Sequence, residues 1–267
     1  MVFRVVFHIT DTLSLYCFCH NEKGPDPGFP GIFKCIHNFI HIVPVYGHYL
    51  PSERSYLFCH ISQGHASPAV YAALALRGYF PVELLDGFRK INSKLEGHVH
   101  RGIPGVESST GSLGQGLGVA IGFALESKLD AKTNRIYAIL GDGEMEEGNI
   151  WESLLAASKY HLGNLTAILD RNGIQLDGFT EDIMPLGNVA EKVAPFGWEV
   201  MTIDGNNMNE VVDALEYSRK PRDRPLFIVA KTVKGKGVSY MENNPKYHGR
   251  IAVCNILFYH NTSKGKS

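Results

Sequence analysis

Two apolar runs, each ended by a glycine-flanked polar residue, constrain this chain more than any other feature. RIYAIL (135–140) runs directly into GDG (141–143), and LTAILD (165–170) runs into RNG (171–173). Between them, GNIWESLLAASKYHL has the periodicity of an amphipathic helix. A strand, a crossover helix and a second parallel strand take about 30 residues, and Asp142 and Asn172 lie thirty positions apart. The spacing therefore returns both side chains to one edge of a sheet. That edge lies just beyond the carboxyl ends of the strands, where open α/β sheets gather ligands.

The same alternation continues on both sides. SPAVYAALALRGY (67–79) predicts a helix with Ser67 as N-cap and Pro68 just inside it. VELLDGFRKI predicts a second, shorter helix. LGQGLGVAIGFALESKLD predicts a third, packed closely through its glycines. VAEKVAPF and MNEVVDALEYSR read as helices between the strand candidates EVMTID and PLFIVAK. Strands of four to eight residues alternating with longer helices predict an α/β fold, a doubly wound, mostly parallel sheet flanked by helices.

The order is confined to residues 61–250, which are expected to form the domain. Residues 1–60 are rich in Cys, His, Phe and Pro without clean periodicity, and residues 251–267 lose it again. With 44% hydrophobic and 20% charged residues, the chain has the balance of a soluble globular protein. A net charge of −1 without a long basic run argues against nucleic acid or an anionic membrane as the main partner. No apolar stretch has the length of a membrane span. His8 and Asp11 interrupt the opening segment, which does not read as a signal peptide. Five unevenly spaced cysteines do not form a disulfide framework, so a reducing cytoplasm is the expected compartment. Cys17, Cys19, His20, Cys35 and His37 match no zinc-site spacing.

Asp142 and Asn172 offer a carboxylate and an amide oxygen at one sheet edge, joined by a backbone carbonyl near Ile174. That is half a shell for a hard cation such as Mg²⁺, whose remaining ligands would be water and phosphate oxygens. Gly141 and Gly143 leave the backbone beside Asp142 open to a large ligand. The helix starting near Gly148 adds N–H groups and a dipole that favour an anion. The expected ligand is a diphosphate held through its metal. GDG alone is a common turn and DRNG alone a common strand exit; the joint spacing carries the reading. GSLGQG (111–116) follows no strand and lacks the G-x-G-x-x-G spacing of a dinucleotide loop, and the closing GKS lacks the upstream glycine of a P-loop.

GDGEMEEGNIWE followed by DRNGIQLDG resembles the diphosphate-binding half of transketolase, a thiamine diphosphate enzyme. QGHASPAVYAAL (63–74), FRKINSKLEGH (88–98), PGVESSTGSLGQGLGVAIG (104–122) and AKTVKGKGVSY (230–240) extend the resemblance over roughly residues 61–249. It implies the thiamine diphosphate-binding fold, with thiamine diphosphate and Mg²⁺ as cofactors and Asp142, Asn172 and Ile174 as metal ligands. Gly141, Asp142, Gly143 and Asn172 then bind the cofactor. His65 matches a histidine that contacts the cofactor and the active-site channel, and His98 one that contacts the donor substrate. Gly111, Leu113 and Gly114 take a backbone role beside the aminopyrimidine. Glu147 matches a glutamate that communicates across the dimer interface, and His248 a histidine lining the site. His100 has no counterpart; Glu144 and Glu146 read as solvated acids. Lys234 and Lys236 read equally well as phosphate contacts and as solvated loop lysines.

Two departures accompany the resemblance. The family's GHPGG-like motif has no match in NEKGPDPGFPGIFKCIHNF (21–39), and nothing in IAVCNILFYHNTSKGKS supplies the pyrimidine-binding half. The resemblance implies the N-terminal section or subunit of a transketolase, an enzyme of the pentose phosphate pathway. It would transfer a two-carbon ketol unit from a ketose phosphate to an aldose phosphate together with a partner half, as a dimer of halves. The alternatives are a related synthase or dehydrogenase subunit, or a thiamine diphosphate-binding subunit that is non-catalytic or inactive.

Overall fold

A computed structural model describes residues 66–176 and 178–248 in full, together with the backbone of strands β1 (Phe3–Phe7), β2 (Leu15–Cys19) and β3 (Leu57–Ile61). His65, the side chains of the cysteine- and histidine-rich opening segment, and the tail after His248 lie outside the described residues. β1 and β2 pair antiparallel. Sequence periodicity missed them, although FRVVF and LYCFC have the aromatic and β-branched content that strands favour.

The main sheet has five parallel strands in the order β3, β4 (Arg135–Gly141), β5 (Leu165–Arg171), β9 (Leu226–Lys231) and β8 (Glu199–Asp204). A short antiparallel hairpin, β6 (Ile174–Gln175) with β7 (Gly178–Phe179), follows β5. Among the described residues the α-helices are α1 (Ser67–Leu76), α2 (Gln115–Leu129), α3 (Gly148–Lys159), α4 (Thr180–Ile183), α5 (Val189–Val193) and α6 (Met208–Ser218). The expected doubly wound α/β architecture is therefore present.

Chain connectivity explains which face each helix covers. The connections β3→β4, β4→β5 and β5→β8 advance across the sheet, whereas β8→β9 turns back. Right-handed crossovers then place the first three sets of helices on one face and α6 on the other. Residue alternation agrees. Ile136, Ala138 and Leu140, with Leu165, Ala167 and Leu169, pack beneath α2, α3 and α5. Leu226, Ile228 and Ile168 face Ala214 and Tyr217 of α6. Burial on both faces is why the central strands read as continuous apolar runs.

Three local expectations change. Ala66, not Ser67, is the N-cap of α1; the Ser67 hydroxyl instead donates to the Gly97 carbonyl at 2.6 Å, tying the helix start to the loop carrying His98. Val82–Gly87 is a 3₁₀ turn, consistent with its shortness and with no buried side chain to hold a longer helix. The glycines of α2 are not all packing contacts. Gly118 faces Ser153 of α3, where a Cβ would lie 3.7 Å from its Oγ, while Gly122 faces open space.

Candidate functional site

The register Gly141↔Asp170↔Ala230 aligns the carboxyl ends of β4, β5 and β9, so the segments following them emerge side by side. Asp142 is only 2% exposed there. Its Oδ1 accepts the Gly143 N–H (3.0 Å), and its Oδ2 accepts the Gly173 N–H (2.6 Å) and Arg171 Nη1 (2.9 Å). The thirty-residue spacing thus resolves into direct bonds between the two segments. Burial pushes the Asp142 carboxyl above its ordinary range, opposed by the Gly173 N–H and then by the Arg171 guanidinium. The other end of that guanidinium donates to Glu181, just after the hairpin.

Asn172, 6% exposed, is held from two sides. Its Oδ1 accepts the Ile174 N–H (3.0 Å) and its Nδ2 donates to Asp170 Oδ2 (3.0 Å). The Thr232 hydroxyl donates to the other oxygen of Asp170. Desolvation raises the Asp170 carboxyl, while the Thr232 and Asn172 bonds oppose it, and the Lys234 charge acts in the same opposing direction. Lys234 is buried and Lys236 exposed, so the two lysines of KGKG occupy different environments.

The GDG turn lies tight against the hairpin. A Cβ on Gly143 would come within 2.8 Å of Gln175 Cβ, and Gln175 Nε2 donates to Glu146 Oε1 at 2.7 Å. Glu146 is therefore not simply solvated. Glu144 departs further from that expectation, being 3% exposed. Its Oε1 accepts the Gly114 N–H (2.7 Å) and its Oε2 the Gly141 N–H (3.2 Å), bonding the loop before α2 to the end of β4. In the sequence it looks like one more acid of a polar turn; only the fold brings two backbone donors to it.

The second wall is that loop. Gly111, with φ +130°, leaves the space in which the His98 ring sits, 3.5 Å from where a Cβ would stand. Leu113 is exposed on the same loop. Gly114 has φ +78°, and a Cβ there would meet Asn149 Oδ1 at 2.1 Å. A left-handed residue with a side chain costs about 1–2 kcal/mol, so Gly114→Ala is expected to destabilise by at least that amount, read from denaturant midpoints. Glu147 is the exposed N-cap residue of α3 and makes no side-chain cap bond. The turn at Pro245–Tyr247 packs against β7, placing the half-buried His248 beside the hairpin.

Among the described residues no three His, Cys, Asp or Glu side chains converge on a common point. A cation here would take mixed oxygen donors. Asp142 already carries a positive guanidinium on one oxygen, and Asn172 keeps its amide oxygen directed away from Asp170. Hard oxygen donors of this kind fit Mg²⁺, whose further ligands would be water and phosphate. Sequence reasoning missed Asp170, Arg171, Thr232 and the bridging part of Glu144. Asp170 and Arg171 sit inside the quoted strand exit, but their pairing appears only in three dimensions. Among the described residues no helix is long and apolar enough to cross a membrane.

Residues 35–253 match the family model for the transketolase thiamine diphosphate-binding domain. The 6-deoxy-6-sulfo-D-fructose transketolase subunit SqwG of Clostridium sp. is 44% identical over 189 residues, covering 70% of this chain and 69% of its own. An apulose-4-phosphate transketolase subunit from Actinobacillus succinogenes is 42% identical over 191 residues, covering 71% of this chain and 69% of its own. The crystal structure of Campylobacter jejuni transketolase superposes with a TM-score of 0.69 at 35% identity, covering 73% of this chain. This chain spans 32% of that enzyme's length. By the family match, the relatives and the shared sheet, the chain belongs to the transketolase family as its thiamine diphosphate-binding domain.

Proposed function

We propose that the chain is the cofactor-anchoring part of a two-chain transketolase. In this reading it holds Mg²⁺ through Asp142, Asn172 and the Ile174 carbonyl, and through the ion the diphosphate of thiamine diphosphate. The observation that carries it is the direct bonding of Asp142 to the segment that bears Asn172. Gly141 and Gly143 are assigned to the diphosphate through their main chain, since Gln175 fills the space beside Gly143, and main chain at Gly111, Leu113 and Gly114 would lie beside the aminopyrimidine.

The bound cofactor supplies an electron sink for breaking a carbon–carbon bond. The chain's own part is to orient it and to manage protons on substrate hydroxyls, for which His65, His98 and His248 are the groups. Glu147, exposed at the start of α3, is the residue we assign to contact with a partner. The partner is a chain carrying the pyrimidine-binding half, a reading supported by two relatives that are themselves named as subunits. Those names specify a sulfonated and a phosphorylated ketose, so an anionic ketose is the donor class we assign. The uneven cysteine spacing supports a reducing cytoplasm as the setting.

Calorimetric titration of thiamine diphosphate into the chain, with and without Mg²⁺, tests the anchor. Asp142→Ala is expected to weaken Mg²⁺-dependent binding by more than about 100-fold, beyond the roughly 10–100-fold that lost supporting contacts cost. Equal binding by the folded variant would overturn the anchor. Adding the partner chain and an anionic ketose tests transfer. Cofactor binding without transfer would favour the non-catalytic reading.

A further inference from the structure

Asn172 has one useful end. A cation is bound by the amide oxygen and repelled by the NH₂ hydrogens, yet the two ends have nearly the same shape. Something must choose between them. On one side, the Ile174 N–H needs an acceptor and finds Oδ1 at 3.0 Å. On the other, Asp170 Oδ2 stands 3.0 Å from Nδ2. Asp170 accepts from both Asn172 and Thr232, so a flipped amide would set oxygen against oxygen there and N–H against N–H at Ile174. Thr232 in turn donates to the second oxygen of Asp170, so tilting the carboxylate out of its plane would break one of the two bonds. The Asn172 amide is thus locked by a carboxylate whose two oxygens are committed to Asn172 and Thr232.

We propose that Asp170, held by Thr232, is the positioning residue that fixes the Asn172 amide with its oxygen toward the cation. The proposal rests on the reading of Asp142, Asn172 and Ile174 as metal ligands. Supporting contacts behind metal ligands are commonly worth about 10–100-fold in metal affinity. Both oxygens of Asp170 are taken, one by Asn172 and one by Thr232, so it acts through Asn172.

The test is calorimetric titration of thiamine diphosphate with Mg²⁺ into the full chain, repeated with Mn²⁺ and followed by electron paramagnetic resonance. Asp170→Asn is expected to weaken metal-dependent binding by about 10–100-fold. Combining it with Asn172→Asp exchanges the pair. The carboxylate at position 172 then presents oxygen whichever way it turns, while the new amide donates to it. Binding should return to within roughly tenfold of wild type. A purely structural role for Asp170 would not predict that repair. If Asp170→Asn fails to fold by circular dichroism, Thr232→Val provides the second variant, with an expected loss of at least about threefold on the same scale. Wild-type affinity in either folded single variant, or an exchanged pair no better than Asp170→Asn alone, overturns the proposal. A wild-type chain that ignores the metal would instead remove the functional reading on which it rests, and the proposal with it.

Discussion

Glu144→Ala is expected to lower the unfolding free energy by about 2–6 kcal/mol, because it strands two buried backbone donors at once. The Gly114 and Gly141 N–H groups both bond to this carboxylate. A buried donor left without a partner costs about 1–3 kcal/mol. Denaturant unfolding measures the loss. Glu144→Gln separates charge from geometry: the amide offers only one acceptor oxygen, so roughly half the loss should remain. A cost below about 0.5 kcal/mol, the range of ordinary surface changes, would show that the bridge does not form. The same substitution frees the loop carrying Gly111 and Leu113, so thiamine diphosphate affinity should fall along with stability.

Trp198→Ala has the other large expected effect. The indole is 2% exposed, donates Nε1 to the Leu154 carbonyl at 2.9 Å and meets the Phe227 ring edge-on, with centroids 5.8 Å apart. It therefore joins β9 to α3 through the core beneath the site. Truncating a buried Trp typically costs about 3–5 kcal/mol, and in a domain of this size that lowers the melting temperature by roughly 6–20 °C. Trp198→Phe keeps much of the volume and loses the N–H, so a cost of about 0.5–1.5 kcal/mol is expected from the lost hydrogen bond. A melting temperature unchanged in the alanine variant would contradict the packing described for this core.

How much was legible beforehand differs by element for physical reasons. The four strands RIYAIL, LTAILD, EVMTID and PLFIVAK are found at Arg135–Gly141, Leu165–Arg171, Glu199–Asp204 and Leu226–Lys231. Most of their side chains are at least partly buried, because the sheet is covered on both faces, and that leaves a signal in composition alone. The helices α3 and α6 were legible through length and period, and α2 through its length and apolar content. The turn at Val82–Gly87 was not, since its apolar residues stay partly exposed and no buried face rewards a full helix. Ser67 carried a capping signature that a contact thirty residues away diverted to Gly97.

The site divides along the same line. The chain by itself determined that Asp142 and Asn172 return to one sheet edge. Strand length and crossover length are local quantities, and together they set that distance. The tertiary structure alone decided the partners. Arg171 reaches Asp142 and Glu181, Glu144 closes on Gly114 and Gly141, and Asp170 shares its two oxygens between Asn172 and Thr232. Such bonds join residues up to 62 positions apart and depend on strand order and register, which no local pattern encodes. Burial then makes them energetically decisive. A carboxylate removed from water must find donors, and which donors it finds is a property of the folded sheet.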